Sequence, residues 1–417
     1  MRAWDLAVVG AGPAGASVAL GALRAEPGLR VVLLDRSTFP RDKACGDGIA
    51  PHVVDLLREA GAGAVVADRV AVTTLRLRRG AFDVDRPMAR PAWVVPRAEF
   101  DLRLVTAACD AGAVLLHERV RRVRPGPVTL LDDRHEARVV VGADGAHSVV
   151  RRALGIPDGP TAVALRGYAP TPPARAGEQV IVFDTGRRPA YAWSFDRGDG
   201  LCNVGYGVLT GSASTGSAGL TKAHLLARLD ALLPGATDGG TSWKGHQLPL
   251  SAGPWRPRPG SVLLAGDAAG LVNPMTGEGI YYAVATGLAA GRAAAEALAA
   301  GDPASAGARQ AAAVAPLLDA HLRHVRLAAR LCRHGSVLGA GLRAASADQG
   351  VFDDLVELGL ARGRITPRVA AGLAGQLARR PTRRPARRPA RPGSRREALR
   401  TTTTTRAIPE ETPPCES

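Results

Sequence analysis

Gly10, Gly12 and Gly15 stand in the run DLAVVGAGPAG, after the apolar residues Leu6–Val9 and before the helical stretch SVALGALRA. Glycines at this spacing in a strand-to-helix turn, here completed by Pro13 and Ala14, let the backbone and a helix N-terminus come close to a pyrophosphate. Asp35 closes the next apolar run, LRVVLLDR, twenty residues after Gly15, where a carboxylate can accept hydrogen bonds from the hydroxyls of an adenosine ribose. Arg36, its neighbour, is assigned to the same site. A glycine turn with no ligand is the bland alternative, but strand, glycines, helix, strand and acid in register favour a bound dinucleotide.

Two later strand ends have the same character. VVVGADGAHSVVRRALG, residues 139–155, is an apolar strand that stops at Gly142 and carries Asp144 before a helix. SVLLAGDAAGLVNPMTGEGIYYAVATGLAAG, residues 261–291, stops at Gly266 and Asp267, then runs through Pro274, Gly277, Gly279 and Ile280 into a long alanine-rich helix. A third feature is aromatic. YAWSF sets Tyr191, Trp193 and Phe195 at alternate positions in a chain only 4% aromatic, so on a strand they share one face, which is either core or the wall of a site.

A chain of 417 residues, 46% apolar and of mean hydropathy near zero, has room for two or three packed units or one large α/β domain. Its five cysteines form no CxxC pair and His52, His147 and His246 are scattered, so neither a disulfide framework nor a metal site is expected. No signal-peptide pattern fits before Asp5 and no run of 18 apolar residues occurs, which points to a reducing, cytoplasmic setting. The formal charge of +16 is concentrated: from Arg379 to Ser417 there are eleven arginines against four glutamates. This stretch, rich in proline and threonine, reads as a disordered basic tail, a solvated terminal extension first and a segment attracted to an anionic membrane surface as the alternative.

Together the three strand-end segments resemble the flavoprotein hydroxylase-like superfamily, with its N-terminal GxGxxG, central DG and late GD motifs. The resemblance implies FAD, with Asp267 on a ribityl hydroxyl and the helix from near Gly279 aiming its N–H groups and positive end at the flavin pyrimidine edge. It also implies that Arg97, in VPRAEFD, lies near the FAD; a surface pairing with Glu99 or Asp101 is the alternative. Two more segments resemble the geranylgeranyl reductase family. FPRDKACGDGIAP, residues 39–51, matches its K-x-C-G-x-G segment with Lys43, Cys45 and Gly46, and YAWSFDRGDGLCNVGYG, residues 191–207, is similar to YxWxFPxG followed by an N-V-G strand. Asp196 stands where that family usually has proline.

The resemblance implies an α/β fold: a discontinuous, three-layer Rossmann-like FAD-binding domain from residues 1–70, 95–160 and 258–300, and an inserted β-sheet substrate domain from 161–257. A helical region, 301–376, with helices over 304–345 and 350–376, and a disordered tail, 377–417, complete it. The implied reaction saturates an isoprenoid C=C bond by hydride transfer from reduced flavin N5, on a menaquinone side chain or a polyprenyl lipid. Tyr191, Trp193 and Phe195 would wall in the chain, and Cys45 or Tyr191 would supply the proton. No second complete nicotinamide-binding unit is visible, so NAD(P)H binds transiently or a ferredoxin-like carrier delivers electrons. The rivals are an FAD-dependent aromatic or polyketide monooxygenase, which shares the nucleotide motifs, and a basic nucleic-acid-binding protein. The amphipathic stretch LLDAHLRHVRLAARLCRH adds peripheral contact with the inner face of the cell membrane as a secondary expectation; oligomeric state leaves no mark in the sequence.

Overall fold

Leu6–Val9, Val31–Asp35 and residues 139–141 are buried throughout, the pattern of strands covered on both faces. In the computed structural model, which describes residues 1–186, 188–211, 220–251 and 253–379, they form the middle of a seven-stranded sheet. Five strands run parallel in the spatial order Val114–His117, Val31–Asp35, Arg2–Val9, His135–Gly142, Val262–Leu264. Val123–Arg124 and Thr129–Leu131 add an antiparallel hairpin. Alternate residues divide the core: Leu6, Val8, Val139 and Val141 pack under the helices Pro13–Ala25 and Ile280–Ala299, whereas Ala7, Val9 and Val140 face the hairpin and Val150. The strand order turns around at Arg2–Val9, which opens a crevice at the carboxyl ends of that strand and of His135–Gly142.

A second, eight-stranded sheet has the order Thr241–Pro249, Thr161–Pro170, Leu201–Gly211, Ala190–Asp196, Glu178–Phe183, Ala71–Arg79, Phe82–Val94, Gly48–Ile49. It is wider than residues 161–257, the span expected to supply it. Ala71–Arg79 lies parallel to Glu178–Phe183 and pairs with Phe82–Val94, so the segment between the first two dinucleotide pieces belongs to this sheet, and Gly48–Ile49 ties the pieces to its edge. Ala192, Val204 and Tyr206 on one face pack against Leu225 and Leu229 of the helix Lys222–Leu232.

The stretch expected as one helix over 304–345 is two, Ala306–Leu331 and Gly335–Ala347. The chain turns at Cys332–His334, where His334 takes an extended conformation, and the second helix folds back to place Leu342 and Ala345 on Leu75 and Met88. Gln349–Leu360 and Pro367–Ala378 follow. The last helix runs past residue 377, where the tail was expected to begin; residues 380–417, which carry the rest of that expectation, lie outside the described residues. The amphipathic stretch packs its Leu318, His321, Leu322 and Val325 inward and leaves Leu327 and Leu331 exposed. Among the described residues no helix is long and apolar enough to cross a membrane, and no group of His, Cys, Asp and Glu could hold a metal ion.

Candidate active site

The crevice of the first sheet and one face of the second enclose a cavity of about 1200 Å³. That exceeds the roughly 300–1,000 Å³ of ordinary small-molecule pockets, so it has room for a dinucleotide and a second ligand. Gly12, Pro13 and Ala14 line it at the start of the helix Pro13–Ala25, which has no side-chain cap and no acid in its first turn. Its free N–H groups and positive end are therefore open to a phosphate. Gly10, also on the cavity, has φ +98° and packs so tightly on Ala143 that an added Cβ would sit 2.5 Å from that carbonyl oxygen. Gly15 and Gly266 do not reach the cavity; they let elements behind it touch.

Asp35 and Arg36 border the cavity, and the Asp35 carboxylate accepts from the Ala11 and Ser37 backbones, both at 2.8 Å, which fixes its plane. Asp144 accepts from Val149 N at 2.6 Å through Oδ2, while Oδ1 is buried without a partner on the cavity wall. His246 Nε2 is a second such orphan; burial, then Lys43, pushes this ring down to about 4, so it is neutral near pH 7. Orphaned polar atoms beside an uncapped helix fit a polyhydroxylated phosphate ligand, which supplies the missing partners.

Arg97 is buried and not on the surface. Its Nε and NH2 groups donate to Asp101 at 2.6 and 2.8 Å, Arg41 also reaches Asp101, and the guanidinium borders the cavity near Gly12. Glu99 pairs instead with Arg69 and Arg103. Lys43 and Asp267 find each other at 3.0 Å; burial pushes Asp267 up, but Lys43 and His246 outweigh it and hold the carboxyl below its ordinary range. Pro274, Gly277, Gly279 and Ile280 line the cavity as expected for the start of the helix Ile280–Ala299. The field there differs from expectation in one respect: Glu278 accepts from Tyr281 N at 2.8 Å, so a carboxyl already occupies one of the amides assigned to the flavin edge.

Tyr191, Trp193 and Phe195 all face the cavity, while Ala192, Ser194 and Asp196 point to the other side. Their rings succeed one another at 5.9 and 6.5 Å, and Phe183 extends the row at 6.4 Å from Tyr191. Asp196, the departure from the motif, builds the turn by itself: it accepts from Gly177 N at 2.6 Å, Thr171 Oγ1 at 3.0 Å and Gly198 N at 3.1 Å. Of the two expected proton donors, Tyr191 gives its hydroxyl proton to the Thr276 carbonyl, and burial raises its pKa; burial also raises the Cys45 thiol, which stays protonated.

Sequence reasoning missed the clamp on residues 42–47. Arg166, 1% exposed, donates to Asp42 at 2.5 Å, to the Lys43 carbonyl at 2.7 Å and to the Cys45 carbonyl at 3.2 Å, and its guanidinium lies 4.5 Å from the Tyr168 ring centre. Asn203 accepts from Trp193 Nε1 and donates to the Cys45 carbonyl and to Asp47, each at 2.8 Å, so one amide ties the aromatic face to the cysteine loop. Tyr168 donates to the same Asp47 oxygen at 2.6 Å. Asp47 and Asn203 lie inside the quoted motifs, but Arg166 and Tyr168 lie in a strand that carries no motif at all.

Asp47 is fully buried and burial pushes it up to about 6, against the pull of Arg166, Tyr168 and Asn203. A folded pKa above the unfolded value means that folding favours the protonated acid; its stability is fully present below about pH 4 and is lost as pH rises through 6. Some two pKa units correspond to about 3 kcal/mol. Asp47→Asn keeps an acceptor for both partners and removes the charge. Thermal denaturation should show no gain near pH 4 and a gain of about 5 °C near pH 8; equal melting temperatures at both ends would refute the assignment.

The comparisons with known proteins agree with this geometry. Residues 3–171 match the model of an FAD binding domain family. A menaquinone reductase of Mycolicibacterium smegmatis is 35% identical over 330 residues, covering 68% of this chain and 74% of the relative. The chain belongs to the geranylgeranyl reductase family of FAD-dependent oxidoreductases. Within that family, digeranylgeranylglycerophospholipid reductase 1 of Methanopyrus kandleri is 33% identical over 321 residues, covering 71% of this chain and 81% of the relative. The fold is also that of a solved geranylgeranyl bacteriochlorophyll reductase-like protein from Thermoplasma acidophilum, with a TM-score of 0.69 at 20% identity over 91% of this chain and 98% of that one. FAD is thus the cofactor of this family member.

Proposed function

We propose that the protein saturates a carbon–carbon double bond in an isoprenoid chain, on a menaquinone side chain or a polyprenyl lipid. The observation that carries this is the face of Tyr191, Trp193 and Phe195, which opens onto the same cavity as the dinucleotide turn. A prenyl chain offers no hydrogen-bonding handle, so shape and dispersion against apolar walls must orient it. The relatives' names point the same way. When bound, FAD supplies the hydride.

In this reading the residues of 1–70, 95–160 and 258–300 hold the cofactor, with Lys43, Arg97, Asp144 and Asp267 among its contacts. The second sheet, broadened by residues 71–94, holds the substrate. Gly46 lets the cysteine loop pack directly on the aromatic face, where an added Cβ would come 3.3 Å from Phe195. An isolated alkene has no neighbouring carbonyl to polarise it, so close positioning and exclusion of water matter more than stabilisation of an oxyanion. Electrons come from transiently bound NAD(P)H or a ferredoxin-like carrier. Leu331 and Cys332 border the cavity, and Leu327 and Leu331 are exposed one turn apart near Arg323 and Arg330, which suits peripheral contact with an anionic cytoplasmic membrane surface where such a substrate resides.

The test is mass spectrometry of menaquinones and polyprenyl lipids from cells with and without the protein, and from anaerobic incubations with reductant. One isoprenoid should gain two hydrogens. If every isoprenoid mass is unchanged and an oxygenated product appears only in air, the protein is a monooxygenase instead.

A further inference from the structure

Hydride addition to an alkene leaves the second carbon needing a proton, and the cavity holds an acid other than the two expected donors. We propose that Glu278 is the acid that protonates the second carbon of the double bond, an inference that rests on the prenyl-reductase reading. Glu278 lines the cavity at the start of the helix Ile280–Ala299, and the neighbouring Thr276 and Gly277 lie against the Tyr191 hydroxyl, which bonds the Thr276 carbonyl and would lie 3.1 Å from a Cβ on Gly277.

The segment that carries it is fixed from several sides. Asn273 N donates to the Glu278 carbonyl at 2.8 Å, Asn273 Oδ1 accepts from Met275 N at 2.9 Å, and Thr276 Oγ1 donates to the Gly359 carbonyl at 2.8 Å. Glu278 Oε1 accepts from Tyr281 N at 2.8 Å, and no cation stands within salt-bridge distance of the carboxyl among the described residues. The Tyr281 and Ile280 amides favour the carboxylate, but burial without a counter-ion outweighs them, and an acid so placed is held neutral and can give up a proton.

The charged and titratable groups around it favour the same state. Cys45 from the 42–47 loop, Tyr191 from the aromatic strand and Tyr282 from its own helix all feel its charge, Asp267 opposes ionisation, and Arg97 attracts the carboxylate more weakly than burial penalises it. Burial pushes Glu278 up to about 7. Cys45 and Tyr191 are both raised, so neither is as acidic as this carboxyl, and the Tyr191 proton is already engaged.

The step balances. The alkene gains a hydride at one carbon from the reduced cofactor and a proton at the other from the Glu278 carboxylic acid. The π bond breaks, two C–H bonds form, two electrons leave the cofactor, and the carboxylate left behind is reprotonated from water.

The test uses the full-length, FAD-loaded protein and Glu278→Gln, which keeps the acceptor for Tyr281 N. Infrared difference spectra between the two, from about pH 5 to about pH 9, should show a protonated-carboxyl band that disappears through pH 7. With dithionite as reductant and an isoprenoid that wild type reduces, E278Q should lose about 100-fold or more in kcat with unchanged FAD affinity, and wild-type turnover should fall above pH 7 as the acid ionises. A carboxylate already ionised at the acid end, or an E278Q variant with wild-type turnover, overturns the role of Glu278. If wild type reduces no isoprenoid, the prenyl-reductase reading itself fails.

Discussion

Gly15→Ala is expected to yield a chain of lowered stability that is purified without FAD. A Cβ at this position would lie 1.8 Å from the Gly10 carbonyl oxygen and 2.9 Å from its carbon, both backbone atoms that no rotamer change can move. The first turn of the helix Pro13–Ala25 would have to lift from the end of Arg2–Val9. It is not free to do so, because the same helix packs on Ile280–Ala299 so closely that a Cβ on Gly291 would come 2.0 Å from the Val18 carbonyl oxygen. Overpacking of this kind costs about 1–3 kcal/mol and more when only backbone can yield. The displaced turn also carries the uncapped N–H groups that stand open to a phosphate, so FAD affinity should fall by at least about 100-fold, some 3 kcal/mol. Flavin absorbance per protein and the melting temperature measure both losses. Gly28→Ala, in an exposed turn where the nearest atom is 3.5 Å away, is the control and should change neither. A Gly15→Ala protein that carries stoichiometric FAD would refute the close-packing account.

The dinucleotide half was legible because its physics is local. Buried runs such as Val31–Asp35 announce parallel strands, and the glycines, Asp144 and Asp267 each end a strand, so the sequence order of the motifs is also their order in the crevice. The aromatic face could be read because alternation is local too; whether it faced core or cavity depended on what lay opposite, which is a tertiary fact. Residues 71–94 carry no such mark: a strand pairing such as Val180 with Arg76 spans about a hundred residues and has no local signature. The helix break at Cys332–His334 was missed because arginine and leucine spacing continues through it while the fold-back contacts on Leu75 and Met88 decide the turn. Asp196 lost its apparent defect once its three acceptor bonds were visible, since a carboxylate can organise the same turn that proline would rigidify.

Arg166→Met is expected to cost about 3–5 kcal/mol and to abolish turnover, although Arg166 lies in a strand without any recognisable motif. Its guanidinium is 1% exposed and serves three acceptors of the 42–47 loop at once. Removing it leaves the Lys43 carbonyl without its donor and the Cys45 carbonyl with Asn203 alone. Asp42 keeps only Lys244, at 2.9 Å, of the two cations that overcome burial and hold its pKa below the ordinary range. Arg166→Lys should recover little, because one ammonium cannot bridge a carboxylate and two carbonyls arranged for a planar fork. The loop that loosens carries Lys43, paired with Asp267, and Cys45, tied through Asn203 to Trp193, so cofactor and substrate sides are disturbed together. Coupling distinguishes this from a general loss of packing: Asp42→Asn in the Arg166→Met background should cost less than Asp42→Asn alone, because the charge it removes has already lost its main partner. Thermal denaturation, FAD titration and isoprenoid turnover on the four proteins of that cycle give the measurement. Strict additivity, or an Arg166→Met enzyme with wild-type kcat, would show that the clamp neither carries the loop nor sets the geometry in which the flavin and the prenyl chain meet.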